Sequence, residues 1–211
     1  MRYQGGKSRI AKPIASAIEL RQQSRESNNT LVSLFCGSCS IESKLAPNFD
    51  RVICNDKHKY LIEMFKALQN GYELPEYISE EQYKYIREHK DEDMALTGFV
   101  GFGCSFGGRF FEGYARNKEN TNYALQSKKS VLKDMQTLWN AEFTCLDYRD
   151  VIIPKDSVVY ADPPYNNTKP INRESFNTQE FWEYMRKISK DNMVFISELN
   201  APDDFKCIWE R

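Results

Sequence analysis

Ser157-Val158-Val159-Tyr160-Ala161-Asp162-Pro163-Pro164-Tyr165 sets a short β-rich apolar run directly before an acid, two prolines and an aromatic ring. An unbroken apolar run of this length, rich in β-branched and aromatic residues, reads as a strand buried on both faces, as in a parallel sheet. Ligands of open α/β sheets bind at the carboxyl ends of such strands. Proline lacks an N–H, so the turn after Ala161 is stiff and its carbonyls are left to accept hydrogen bonds from outside. Asp162 adds a carboxylate acceptor, and Tyr165 adds a flat π face. Together they suit a planar ring bearing an exocyclic NH2, such as adenine or cytosine. A strand that merely ends in a proline turn is the plainer reading, and the neighbouring segments weigh against it.

Upstream, Leu31-Val32-Ser33-Leu34-Phe35-Cys36-Gly37 reads as a second buried strand running into the small-residue turn Gly37-Ser38-Cys39-Ser40. Val52-Ile53-Cys54-Asn55-Asp56 is a third, ending in an acid at about the twenty-residue spacing that nucleoside-binding βαβ units use. Strand, tight turn, helix, strand and terminal acid favour a nucleoside pocket over a plain α/β core: backbone approaches the ligand at the turn, and the acid takes ribose hydroxyls.

Around these strands the pattern alternates. Helices are predicted over 9–26, over Ile41–Leu45, at Tyr60-Leu61-Met64-Phe65-Leu68 and at Phe181-Trp182-Tyr184-Met185-Ile188. Further strands are predicted at Glu142–Leu146 and Met193–Ser197, with a turn at Ile153–Asp156. The alternation argues an α/β fold with a mostly parallel sheet in three layers. Residues 74–140 interrupt it. An acid-rich, solvated helix is predicted over 80–93, followed by the glycine- and aromatic-rich piece from Gly98 to Phe111. That piece reads either as a partner-binding surface, or as a mobile lid or small aromatic core joined by glycine turns.

Arg2-Tyr3-Gln4-Gly5-Gly6-Lys7, Phe35-Cys36-Gly37, Asn55-Asp56 and Asp162-Pro163-Pro164-Tyr165, in that order, resemble the Dam-type DNA adenine-N6 methyltransferases over essentially the whole chain. The resemblance implies a Rossmann-like methyltransferase sheet, with residues 1–73 and 141–211 as the S-adenosylmethionine-binding catalytic domain. Residues 74–140 become a small helical and irregular target-recognition insert. Asp162, Pro163, Pro164 and Tyr165 become the catalytic segment, with Asp162 also at the cofactor. Tyr3 and Lys7 go to the methionine end of the cofactor, Lys7 near its carboxylate. Phe35 and Gly37 form the cofactor turn, and Asp56 takes the ribose. Asp147, beside Tyr148, either reads the amino group of the cofactor's adenine or caps its strand. Arg109, Arg116 and Lys118 are assigned to double-stranded DNA. The protein is expected to act as a monomer or weak dimer in bacterial or phage-infected cytosol, and bacteriophage is a natural source for so compact a version.

Other readings stay open on the residues alone. A cytosine-N4 enzyme would share the geometry, often with serine in place of Asp162; an RNA adenine methyltransferase or a non-catalytic relative that binds DNA or cofactor would share the motifs. A methyl mark could protect against restriction, regulate, or label replicated DNA. Two departures from the family pattern stand out. Cys39 occupies a position that is usually glycine and is expected to push the cofactor outward. Gln4 replaces a small apolar residue. The family also continues with further strands beyond this point, so an exposed sheet edge and apolar surface are expected near Cys207–Arg211. Gly5-Gly6-Lys7-Ser8 is not a phosphate loop, because no strand and no glycine stand at the required spacing upstream.

Composition narrows the classes. At 211 residues one sizeable core is expected, and a mean hydropathy of −0.65 with no long apolar run argues a soluble protein without membrane spans. The six cysteines include a Cys36-x-x-Cys39 spacing, but no second pair and no histidine cluster that zinc would need. Reduced, buried thiols are expected there, with a thioredoxin-like role as the alternative. His58 and His89 are expected at ordinary surface or helix positions. A net charge of −1 announces no nucleic-acid binding, yet basic residues cluster at Arg2–Arg25 and Arg109–Lys133.

Overall fold

In the computed structural model, which describes residues 1–22, 29–164 and 176–210, five parallel strands form one sheet in the order β3-β2-β1-β4-β5. The strands are β1 (Thr30–Ser33), β2 (Arg51–Asn55), β3 (Glu142–Thr144), β4 (Val158–Ala161) and β5 (Met193–Ile196). The fold class read from the sequence is thus observed, with every described strand parallel.

Side-chain alternation explains the three layers. Leu31, Val52, Cys54, Val158 and Tyr160 point into one apolar cluster, while Val32, Ile53, Val159 and Ala161 point into a second on the opposite face. The first face is covered by α1 (Ala11–Gln22), α2 (Glu42–Leu45), α3 (Lys59–Gln69), α5 (Met94–Gly103) and α6 (Tyr123–Met135). The second is covered by α7 (Thr178–Ile188), through Phe181, Trp182 and Met185, and by Tyr148 and Val151 of the segment between β3 and β4. β1 and β4 are central and wholly buried, which is why their sequences do not alternate in polarity. β5 lies at the sheet edge and is only half-buried, with Leu199 and Trp209 also exposed beyond it.

From β1 the chain moves outward to β2 and β3 on one side, then returns to place β4 on the other. The carboxyl ends of β1 and β4 therefore diverge, and this switch point opens a crevice. Past the ladder of β1 the chain bends yet keeps bonding its neighbours: Leu34 N–H donates to the Tyr160 carbonyl at 3.0 Å, and Cys36 N–H to the Asn55 carbonyl at 2.8 Å. That accounts for the longer strand expected from the sequence.

The glycine- and aromatic-rich piece is largely helix. Gly98 lets α5 lie directly on α3, where a Cβ would collide with the Tyr60 carbonyl. Of its five phenylalanines, Phe99, Phe102 and Phe111 are buried, Phe110 packs against them, and Phe106 alone is strongly exposed. Phe99, Phe102, Phe110 and Phe111 thus pack as part of the core on this face of the sheet. α4 (Glu80–Glu88) is likewise not simply solvated, since Tyr83 and Ile86 are buried in the same cluster. The predicted helix over 9–26 is seen as Ala11–Gln22; 23–28 lie outside the described residues.

Candidate active site

A cavity of about 310 Å³ opens at the switch point. Five sequence segments meet there: the amino-terminal Tyr3–Lys7, the turn after β1, the residues after β2, those after β3, and Asp162–Pro164 after β4.

The amino-terminal segment is held by its own turn, Gly6 N–H to the Tyr3 carbonyl at 3.0 Å, and by Gln4 N–H to the Gly108 carbonyl at 2.9 Å. Gln4, for which the sequence suggested no role, thus ties this segment to residues 106–108 through its backbone. The Tyr3 ring packs on Phe102 at 4.9 Å and lies over the turn after β1. Gly37 has φ +48, and a Cβ there would come 2.9 Å from that ring, so glycine is required twice over. Burial raises the Tyr3 phenol further above its usual range, keeping it neutral.

Asp56 is anchored from both sides: Gly37 N–H donates to Oδ2 at 2.9 Å and His58 N–H to Oδ1 at 2.9 Å. Burial raises its pKa while these donors oppose the shift. Asn55 joins three strand ends. Its Nδ2 donates to the Leu34 and Leu146 carbonyls, each at 3.1 Å, and its Oδ1 accepts from Leu146 N–H at 3.0 Å and Thr144 Oγ1 at 2.8 Å. This buried amide sets the path of the chain into Asp147 and Tyr148.

Asp147 pairs with Arg149, Nε to Oδ1 at 2.7 Å and Nη2 to Oδ2 at 3.0 Å, and lies 3.8 Å from Lys57. Arg149 first, then its backbone N–H, holds the carboxyl below its usual range against the effect of burial. Arg149 also bonds Glu180 at the start of α7. Beside them Phe35 and Tyr148, with ring centroids 5.2 Å apart, form an aromatic wall that Phe176 extends.

Lys7 Nζ sits 2.5 Å from Asp162 Oδ1. Burial pushes the Asp162 carboxyl up to about 6, with Lys7 pulling the other way. The resemblance implied Lys7 at a cofactor carboxylate; here it reaches the turn after β4 at Asp162.

Tyr3, Lys7, Phe35, Gly37, Asp56, Asp147, Tyr148, Asp162, Pro163 and Pro164, each singled out in the sequence, all border this one cavity. Tyr165 lies outside the described residues. Arg109, Arg116 and Lys118 are exposed and away from the cavity lining; Arg109 pairs with Glu112 at 3.2 Å, and Arg116 with Glu80. Two expectations need correction. Cys39 adopts the left-handed φ of +57 that a glycine would take, with its side chain fully buried in the core and absent from the cavity lining. It does not push into the ligand space. His58 is neither a surface nor an ordinary helix residue: it is buried at the cavity wall against Phe102 and Phe110, and burial lowers its pKa to about 4.

The sequence reading also missed lining residues. Arg149 and Glu180 belong to a charge network whose only local trace is the Asp147-x-Arg149 spacing. Glu42 looks like a helix-start acid in sequence, yet is 1% exposed and lines the cavity.

Among the described residues no group of three or more His, Cys, Asp or Glu is arranged to hold a metal ion, and no helix is long and apolar enough to cross a membrane. All six cysteines are free thiols. The family model described as D12 class N6 adenine-specific DNA methyltransferase matches residues 3–99 and 105–196. Those two stretches carry the amino-terminal segment, the turn after β1, Asp56 and the Asp162–Pro164 turn, and on that match the chain belongs to the D12 class of N6 adenine-specific DNA methyltransferases.

Proposed function

We propose that the cavity binds S-adenosylmethionine and that its methyl group passes directly to the N6 amine of an adenine turned out of duplex DNA. The lining fits such a cofactor. Glycines at 6 and 37 let Tyr3 pack directly on the turn after β1, which fixes this wall of the cavity. Phe35 and Tyr148 offer an apolar face for a flat base, and Asp56 presents a fixed carboxylate for ribose hydroxyls. Asp147, already anchored by Arg149, is the acceptor assigned to the amino group of the cofactor's adenine. When bound, the cofactor supplies an electrophilic methyl group on a sulfonium.

The chain's own residues prepare the amine. The N6 lone pair is delocalised into the ring and is a weak nucleophile. Accepting its two N–H groups, by the Asp162 carboxylate and the Pro163 carbonyl, favours a pyramidal nitrogen and steers the lone pair. The same acceptors stabilise positive charge as it develops on nitrogen. Orientation and electrostatics carry the effect, and Asp162 need not be a strong base. Lys7 engages Oδ1, so the second oxygen is the acceptor assigned to the amine. An ammonium has three donors, which lets Lys7 hold Asp162 and also meet the cofactor's carboxylate.

An amine inside a duplex is out of reach, which is the reason for turning the base out; Tyr165 is the ring assigned to stack on it. Residues 74–140 supply target recognition in this reading, with exposed Arg109, Arg116 and Lys118 meeting phosphates or guanine edges.

The observation that carries the proposal is Asp162 at the switch point, at the carboxyl end of β4 and in one cavity with Asp56 and the Gly37 turn. Its test is tritiated methyl transfer from S-adenosylmethionine to unmethylated DNA, beside Asp162→Ala, with the nucleosides separated afterwards. N6-methyladenine that vanishes in the variant is expected. Label in cytosine, in RNA only, or undiminished in the variant overturns it.

A further inference from the structure

Glu42 is a carboxyl that the transfer step above does not use. It leaves the first turn of α2, is 1% exposed, and borders the same cavity as Lys7 and Asp162. Ser33 Oγ donates to its Oε1 at 2.6 Å, the backbone N–H groups of Ile41 and Glu42 also act on the carboxyl, and among the described residues it has no ion-pair partner. The other carboxyls of the cavity are committed: Asp147 and Glu180 to Arg149, Asp162 to Lys7, and Asp56 to two backbone N–H groups. A carboxyl this buried is costly to ionise unless a cation arrives to meet it.

Resting on the cofactor reading above, we propose that Glu42 receives the α-ammonium of the cofactor's methionine portion, held in place for it by the Ser33 hydroxyl. The nucleoside half is assigned to the Asp56 and Tyr148 side, which leaves the Gly37–Glu42 turn and the Lys7–Asp162 pair to the amino-acid half. That half carries one cation and one anion. Lys7 suits the anion, and Glu42 is the unpaired acid that suits the cation.

A proton must move when this pair forms. Burial pushes this carboxyl up to about 8 against the opposing Ser33 and backbone N–H bonds, so at neutral pH it is mostly protonated. Binding an ammonium reverses that preference, and Glu42 gives its proton to the buffer. The groups near it do not supply this signal. Cys36 is held neutral by burial, Lys44 pairs with Asp134, and Asp162 is paired with Lys7 and mostly ionised at pH 7.5.

Calorimetry with S-adenosylhomocysteine, which keeps the ammonium, and with methylthioadenosine, which lacks the amino-acid portion, tests the assignment. Glu42→Gln is expected to weaken S-adenosylhomocysteine at least about tenfold, roughly 1.4 kcal/mol, and to leave methylthioadenosine unchanged. Equal losses for both ligands, or a loss for neither, overturn it. If the variant does not fold, the wild type still decides: in buffers of different ionisation enthalpy at pH 7.5, S-adenosylhomocysteine should release a proton and methylthioadenosine none. Equal proton counts for the two ligands overturn it. Wild type that binds neither ligand removes the cofactor reading itself, a failure distinct from the loss of Glu42's role alone.

Discussion

Lys7 and Asp162 stand 155 residues apart in sequence and meet at 2.5 Å, Nζ to Oδ1. The contact joins the amino-terminal segment to the carboxyl end of β4 and sets the charge state of the acid. Burial favours the neutral carboxyl and Lys7 favours the ionised one, so the pair holds an acceptor that is charged near neutral pH.

Removing that charge while keeping the shape should stop the chemistry. Asp162→Asn is expected to lower kcat by about 10²–10³, the scale for losing one electrostatic stabiliser of a developing charge. Single-turnover methyl transfer beside cofactor affinity checks it; a drop in affinity with kcat intact would move Asp162 from the reacting amine to the cofactor.

A raised acid also fixes a pH dependence. With Asp162 at about 6, kcat/KM for the cofactor should fall as pH drops through 6, because the protonated acid has lost its negative charge. Lys7 opposes the rise, so Lys7→Met should shift that limb to higher pH as well as weakening transfer. A limb below pH 5 that ignores the substitution would show that another group controls the rate.

The contact of α5 with α3 depends on a missing side chain. Gly98→Ala would drive a Cβ into the Tyr60 carbonyl, and backbone cannot yield as a side-chain tip does. A cost of about 1–3 kcal/mol corresponds to a melting temperature lower by about 3–10 °C for a domain of this size. Thermal melts decide it, and an unchanged melting temperature would mean that the two helices can separate freely.

Exposed basic residues of the 74–140 segment should act through phosphates. Arg109→Ala and Arg116→Ala are each expected to weaken DNA binding and to reduce the salt dependence of log K by about one ion. Titrations at several salt concentrations check this. A loss confined to one DNA sequence, with the slope intact, would assign the residue to base reading instead.

Much of the site was legible because its parts lie at strand ends, where local pattern is strongest. Val158–Ala161 and Val52–Cys54 are continuous apolar runs, and the acids that follow soon after them lie at carboxyl ends of strands. Residues 94–103 were harder. Three glycines within ten residues argue against a helix, yet burial against α3 outweighs their low helix propensity. Cys39 shows the same limit: its left-handed backbone was expected of glycine, and the core accepts the thiol instead.

The sequence by itself determined the α/β class, the order of the strands along the chain and the residues able to carry the chemistry, because hydrophobic period and turn chemistry are local properties. Only the tertiary structure decided which of those residues share a wall. Lys7 meeting Asp162, Asp56 fixed by Gly37 and His58, and Glu42 buried beneath Ser33 all arise where separate strands converge at the switch point. Their charge states follow from that burial, which no local run of residues encodes.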